Sequence, residues 1–408
     1  MTPARGTGYH SSIVRRARRF HPITPLLLAA LAWAASGYTP PPLPRTDVTL
    51  QPGESCKPCH LDITEQWRRS AHARAGRGQD LLFGRMYFYS LKQTRGATMV
   101  ACGPCHETAS FVNQDFTFVR DVSAEGVTCS YCHSISGPGD PKGVPPYTLS
   151  LDAYHGTIRL AQGNSSHKSA YSAFFATSEF CGNCHSYENQ NGVRISDTYR
   201  EWKNSKYAKQ GVTCQSCHMP GRAGRNSNLG PVRPNVPNHA FSVEDLAAAR
   251  PNAATLALSG ARRAGDSLRV TAVVTNAGWG HSLPTGNDQN LALLRVRVTD
   301  ADGQVVWEND PFSEWNVSVF GLILADEVGN WPADTWNATK ILSDRRIKAG
   351  GSARVTYDVP LKDAKGALTI EGHLVSRRAK PQTITAYGLD EATYGAERSL
   401  AQAKAKVP

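Results

Sequence analysis

The chain of 408 residues has no cysteine to spare. Its ten cysteines all fall in one five-residue pattern, which leaves no unpaired thiol. It also lacks a membrane-length apolar run: the longest apolar stretch, near the N-terminus, falls short of the roughly 20 residues that a spanning helix needs. Beyond that N-terminal stretch there is no Lys/Arg run and no interleaving of basic and aromatic residues. The net charge of +11 is therefore not the footprint of a nucleic-acid-binding protein.

What is present is the pattern itself, five times over: Cys56-Lys-Pro-Cys59-His60, Cys102-Gly-Pro-Cys105-His106, Cys129-Ser-Tyr-Cys132-His133, Cys181-Gly-Asn-Cys184-His185 and Cys214-Gln-Ser-Cys217-His218. Cys-x-x-Cys-His is the attachment site of c-type haem. Two thiols form thioethers to the porphyrin edge, and the following histidine reaches the iron from the proximal side. The sequence thus predicts five covalently bound haem c groups. Zinc would take two Cys pairs per metal, and five pairs do not divide evenly. A redox dithiol or a disulfide framework would not place a histidine after every pair.

Arg15, Arg16, Arg18 and Arg19 precede a short apolar run from Pro25 to Ala35, and Ala32-Trp33-Ala34 supplies small residues for cleavage. Residues 1–36 read as a signal peptide, with an uncleaved anchor as the alternative. Residues 37–50 form a stiff Pro-rich linker. The expected location is periplasmic, or beyond it at the cell surface. Removing residues 1–37 takes away five arginines and no acid, so +11 falls to +6. Each ferric haem with two propionates adds roughly −1, which brings the mature protein near neutral.

The expected fold is an N-terminal, mostly α or irregular multihaem domain with a haem-filled core (51–247), then an all-β sandwich (248–376) and a C-terminal segment (377–408). The first stretch has short helical pieces at Asp62–Ala75 and Asp197–Lys209, and Pro/Gly/Asn-rich loops at 141–146 and 219–238. From about 250 the pattern alternates: Leu268, Val270, Ala272 and Val274 share one face, as do Leu294, Val296 and Val298. The Asp302-Gly303 turn leads to Val305–Trp307. Further strands run through Ala353–Val359 and Leu368–Leu374. The Ala- and Lys-rich last thirty residues read as a helix or a mobile tail.

Six further histidines follow the linker. His72, His167, His239 and His281 are candidate distal ligands, and His155 is the doubtful fifth. His72 is expected on a helix continuing from the first motif. His281, in Gly280-His-Ser-Leu-Pro-Thr-Gly286, would reach across from the β domain. His373 lies on a strand opposite Leu368, Ile370 and Leu374, which points it to solvent. Trp202…Ser205…Tyr207-Ala208 echoes Trp67…Ser70…His72-Ala73, with tyrosine where the histidine stands. Trp67, Trp202, Tyr131 and Tyr207 are expected to pack on the haems.

These motifs together resemble the multihaem cytochromes c typified by the tetrahaem electron acceptor of hydroxylamine oxidoreductase, within a wider group that includes pentahaem nitrite reductases and octahaem oxidoreductases. The resemblance rests on Cys56–Ala73, Gly126–His133, Phe180–His185, Gly211–Pro220 and, for members with an added β domain, His281–Gly286. It implies closely stacked haem pairs, mostly bis-histidine, forming an electron conduit. The pentahaem nitrite reductases usually carry a Cys-x-x-Cys-Lys catalytic site, and this chain has none.

Three functions compete. The first is electron transfer between redox partners, such as a quinol-oxidising membrane complex or other cytochromes, because bis-histidine iron has no open position. The second is reduction or oxidation of a small nitrogen oxo-compound, nitrite or hydroxylamine, at one five-coordinate haem. The third is docking or self-assembly through the β domain. The sequence favours a carrier over a catalyst, and no nucleic acid is expected.

Overall fold

Glycine, proline and the five motifs break the first half of the chain into short elements. The computed structural model describes residues 49–143, 145–159 and 166–408; the expected signal peptide and nearly all of the linker lie outside them. Helix α1 (Leu61–Arg69) stops early: Ser70 turns extended, and its N–H closes on the Trp67 carbonyl. His72 therefore sits in the turn after the helix and not on it, a correction to the expected Asp62–Ala75 helix. Helix α2 (Leu81–Gln93) is N-capped by Asp80, whose carboxylate accepts from the Leu82 and Phe83 N–H groups.

Helix α3 spans Ala97–His106 and α4 Cys129–Ser134. The expected Asp197–Lys209 helix is two, α5 (Thr198–Lys203) and α6 (Lys206–Lys209). Ser205 breaks them, adopting an extended conformation and capping α6 through the Tyr207 N–H. Helix α7 is Cys214–His218. Residues 219–238, expected as a loop, hold an antiparallel hairpin of β1 (Gly221–Arg225) and β2 (Val232–Pro237). Its Gly- and Pro-rich strands lack the apolar alternation by which a strand is recognised.

The second half is the expected sandwich. One sheet orders β10 (Ser352–Pro360), β4 (Ser267–Asn276) and β3 (Ala254–Ala264). The other orders β6 (Val305–Glu308), β5 (Leu291–Thr299), β11 (Leu368–Arg377) and β12 (Glu397–Val407), with β7 (Val319–Phe320) also on β5. A separate ladder joins β8 (Leu322–Ala325) to β9 (Lys340–Asp344). Leu268, Val270, Ala272 and Val274 face Leu294, Val296, Val298, Leu368 and Ile370 in one core shared by both sheets. Each fully buried Leu or Val there contributes about 1.5–3 kcal/mol. His373 does lie on the opposite face of β11, paired with Arg295 and Gln402.

The C-terminal segment is not a single helix or a mobile tail but two short helices and a long strand. After α8 (Pro381–Tyr387) and α9 (Glu391–Tyr394), β12 pairs along the whole of β11. Its Ala401, Ala403, Ala405 and Val407 line the core, while lysines and glutamine alternate outward. The two halves interlock within one compact unit. Leu82 packs with Ala379, Ile384 and Tyr394, and Val193 and Ile195 pack with Leu322, Leu324 and Ala338.

Candidate metal centres

Each motif folds as roughly one helical turn. His60 and His185 donate their N–H to the carbonyls of Cys56 and Cys181, four residues back. The second, third and fifth motifs lie at the end or in the body of α3, α4 and α7. One turn brings positions i, i+3 and i+4 to the same face. Both cysteines and the histidine thus point one way, which is what covalent attachment plus axial ligation requires. In the third and fifth motifs a threonine caps the turn: Thr128 Oγ1 accepts from the Tyr131 N–H and Thr213 Oγ1 from the Ser216 N–H.

Four motif histidines face a second histidine. The ring centroids are 6.2 Å apart for His60 and His167, 6.1 Å for His185 and His72, 6.4 Å for His133 and His239, and 6.3 Å for His218 and His281. Two imidazole–metal bonds of about 2 Å, plus the distance from each nitrogen to its ring centre, add to about 6 Å. Each pair is spaced to hold one iron between them. Interplanar angles of 18° to 90° do not matter, because rotation about the common axis leaves both bonds intact.

The ring protons are set by backbone. The Nδ1 of His60 meets the Asn226 carbonyl at 2.6 Å, His133 that of His155 at 2.7 Å, His239 that of Pro237 at 2.9 Å, His281 that of Ser282 at 3.0 Å and His106 that of Ala75 at 3.1 Å. A carbonyl only accepts, so Nδ1 carries the proton and Nε2 is left bare for a metal. Burial also disfavours the charged form of seven histidines. It pushes His72 down to about 3, and His218 and His239 to about 4, each with a smaller contribution from neighbouring histidines. Burial likewise lowers His106, His133, His185 and His281.

His106 is different. Among the described ring contacts its neighbour is Phe83, stacked at 4.0 Å and 11°, too close for an intervening metal, and no histidine faces it. His155 does not fill that place. It lies beside His133, its Nδ1 3.3 Å from the His133 carbonyl while its own carbonyl takes the His133 proton.

The thiols show which motifs adjoin. Cys56 contacts Cys129, Cys105 contacts Cys184, and Cys181 contacts Cys214. Cys132 and Cys184 pack in one cluster with Tyr131 and Tyr147. Motif one thus meets three, three meets four, and four meets both two and five. Tyr131 is buried among these thiols, only 1% exposed. The residues present fit five haem c groups in attachment chemistry, proton placement and spacing, with one position lacking a histidine opposite among the described residues.

The echo in the sequence is a structural repeat, matching position for position. Trp67 Nε1 donates to the Val127 carbonyl at 2.8 Å and Trp202 Nε1 to the Val212 carbonyl at 2.9 Å. The N–H of Val127 bonds the His72 carbonyl, and that of Val212 the Tyr207 carbonyl. Where His72 turns to face His185, the Tyr207 hydroxyl reaches the Ala277 carbonyl at 3.4 Å, beside the turn that carries His281. Sequence reading alone missed Glu201, whose carboxylate holds that turn; an isolated glutamate on a short helix carries no signal.

The profile of the family described as "Cytochrome c554 and c-prime" matches residues 55–134, the first three motifs. No curated protein matches the chain. Among solved structures the chain is similar to a penta-heme cytochrome c552 from Thermochromatium tepidum, 22% identical over 88% of this chain and 99% of that one, with a TM-score of 0.70; this shows a shared fold. The matches to the C-terminal domain of wzt (9% identity, 33% of this chain and 53% of that one, TM-score 0.18) and to Bacteroides uniformis beta-glucuronidase 2 (10% identity, 38% and 14%, TM-score 0.18) carry no argument.

Proposed function

We propose that this chain is an exported pentahaem c-type cytochrome that passes electrons between redox partner proteins. The observation that carries this reading is the set of four histidine pairs, each joining one motif histidine to a distant residue at the spacing of a shared metal. Iron held between two imidazoles gains and loses an electron without an open position for a substrate. The chain's own residues do the rest. The paired cysteines fix each group covalently. The backbone carbonyls on Nδ1 set each ring's orientation and basicity. Tyr131, Tyr147 and Trp67 exclude water from between the motifs. The thiol contacts set motif one beside three, three beside four, and four beside two and five, and electrons would pass between those neighbours. Five haems per chain by pyridine haemochrome, all titrating in spectroelectrochemistry, are expected; only one or two redox-active haems would refute the reading.

A second reading has one specific observation in its favour. His106 has Phe83 against it and, among the described residues, no histidine opposite, so this position is the one at which a small nitrogen oxo-compound such as nitrite or hydroxylamine would reach the metal. Turnover of either with a low-potential dye donor, abolished by cyanide, is the expected outcome. No turnover with either leaves the protein a carrier.

A further inference from the structure

The ligand offered to the fifth motif comes from the β region, on a turn that Leu283 ties to Ile347 by a pair of backbone hydrogen bonds, and a second anchor reaches the same turn from α5. Glu201 on α5 is only 10% exposed, and Arg346, which follows β9, only 12%. One Glu201 carboxylate oxygen accepts from the Ser282 N–H at 3.0 Å and from Thr285 Oγ1 at 2.6 Å. The other accepts from Arg346 Nη1 at 2.7 Å. Arg346 also forks onto Asp344, with Nε and Nη2 at 2.8 and 2.7 Å. Thr198 Oγ1 meets Thr285 Oγ1 at 2.9 Å. On the far side the buried Asn276 amide donates to the His281 carbonyl at 2.8 Å. The residue next to His281 is thus held by a charge-assisted bond from the helix that leads into the fifth motif.

We propose that Glu201 and Arg346 form a latch that seats His281 opposite His218, so that docking of the β region sets the coordination of the fifth haem. This rests on the reading of His281 as a distal ligand. Both residues act through the turn and touch no ligand atom, so they are positioning residues. Outer partners of metal ligands typically control 10–100-fold in metal affinity. The latch couples the two halves of the chain, because the same carboxylate joins α5, the 281–286 turn and Arg346, two residues beyond β9.

The test uses the purified, haem-loaded full chain and carbon monoxide as the probe. Glu201→Gln keeps the volume but removes the charge and one acceptor. Thr285→Val removes one donor and leaves the Glu201–Arg346 pair intact. His281→Ala is the reference. The expected result is that carbon monoxide uptake at a second ferrous haem rises roughly 10–100-fold in Glu201→Gln, less in Thr285→Val, and fully in His281→Ala. Added imidazole should suppress it. The high-spin EPR signal should grow toward one further haem in five. If Glu201→Gln and Thr285→Val show the parental spectrum and uptake while His281→Ala does not, the latch is refuted and the ligand assignment stands. If His281→Ala also matches the parent, the ligand assignment itself fails and takes the latch with it.

Discussion

The imidazoles of His218 and His281 face each other at 6.3 Å, 18° from parallel, although one ends the last motif and the other opens a turn between two strands of the sandwich. On the proposed reading the β region thereby supplies one side of the fifth metal position. Removing it would leave that histidine without its partner.

Mutation separates the candidate ligand His239 from the doubtful fifth, His155. His239→Ala removes the ring opposite His133 and is expected to convert one low-spin haem to high spin. His155→Ala leaves the carbonyl that takes the His133 proton and is expected to keep the parental low-spin count. EPR spin integration against haem content reads both.

The parent protein should bind one carbon monoxide per chain. Four motif histidines have an opposing imidazole and His106 has Phe83. A ferrous difference spectrum titrated to saturation would give one equivalent; none would mean a sixth ligand at that position.

Glu125 makes stability depend on pH. Burial, and the nearby Glu54 and Asp121, push its carboxyl up to about 7, against the Gly53 N–H that it accepts. A folded-state value above the unfolded one favours the protonated form. Its contribution is full below the ordinary value near 4.5 and is lost as pH rises through about 7. Glu125→Gln stays neutral and still accepts from Gly53, so its thermal midpoint should fall less between pH 5 and pH 8 than the parent's. A parallel fall in both would refute this.

Lys380 and Asp288 form an ion pair at 2.8 Å with both side chains fully buried. Asp288 also accepts from Thr335 and Gln289. Lys380→Met leaves an unpaired buried carboxylate and should cost about 3–5 kcal/mol. The double variant Lys380→Met/Asp288→Asn should cost less than the two single changes combined. Denaturant titration gives the comparison.

Deleting residues 397–408 removes β12 and bares the edge of β11. The expected outcome is a lower thermal midpoint and a tendency to aggregate through the new edge. A mobile tail could be cut without either effect.

Several elements were legible in the residues and several were not. The strands through Leu268–Val274, Leu294–Val298 and Leu368–Leu374 declare themselves by strict alternation of large apolar side chains. The alternation in Ala401–Val407 is as regular, but alanine and lysine are common in helices and hide it. The hairpin at 221–237 has no apolar face to read. The early end of α1, which places His72 in a turn, depends on Ser70 taking an extended conformation.

The sequence by itself determined the chemistry. Five Cys-x-x-Cys-His spacings each lie within one helical turn, and a local spacing is a property of the local chain. It also determined which histidines were available. Only the tertiary structure decided which rings face each other: His167 the first motif, His239 the third, His72 the fourth, His281 the fifth and, among the described residues, none the second. Those pairings join residues far apart in the chain, and the packing of helices, hairpin and sandwich brings them together; no spacing along the backbone encodes that.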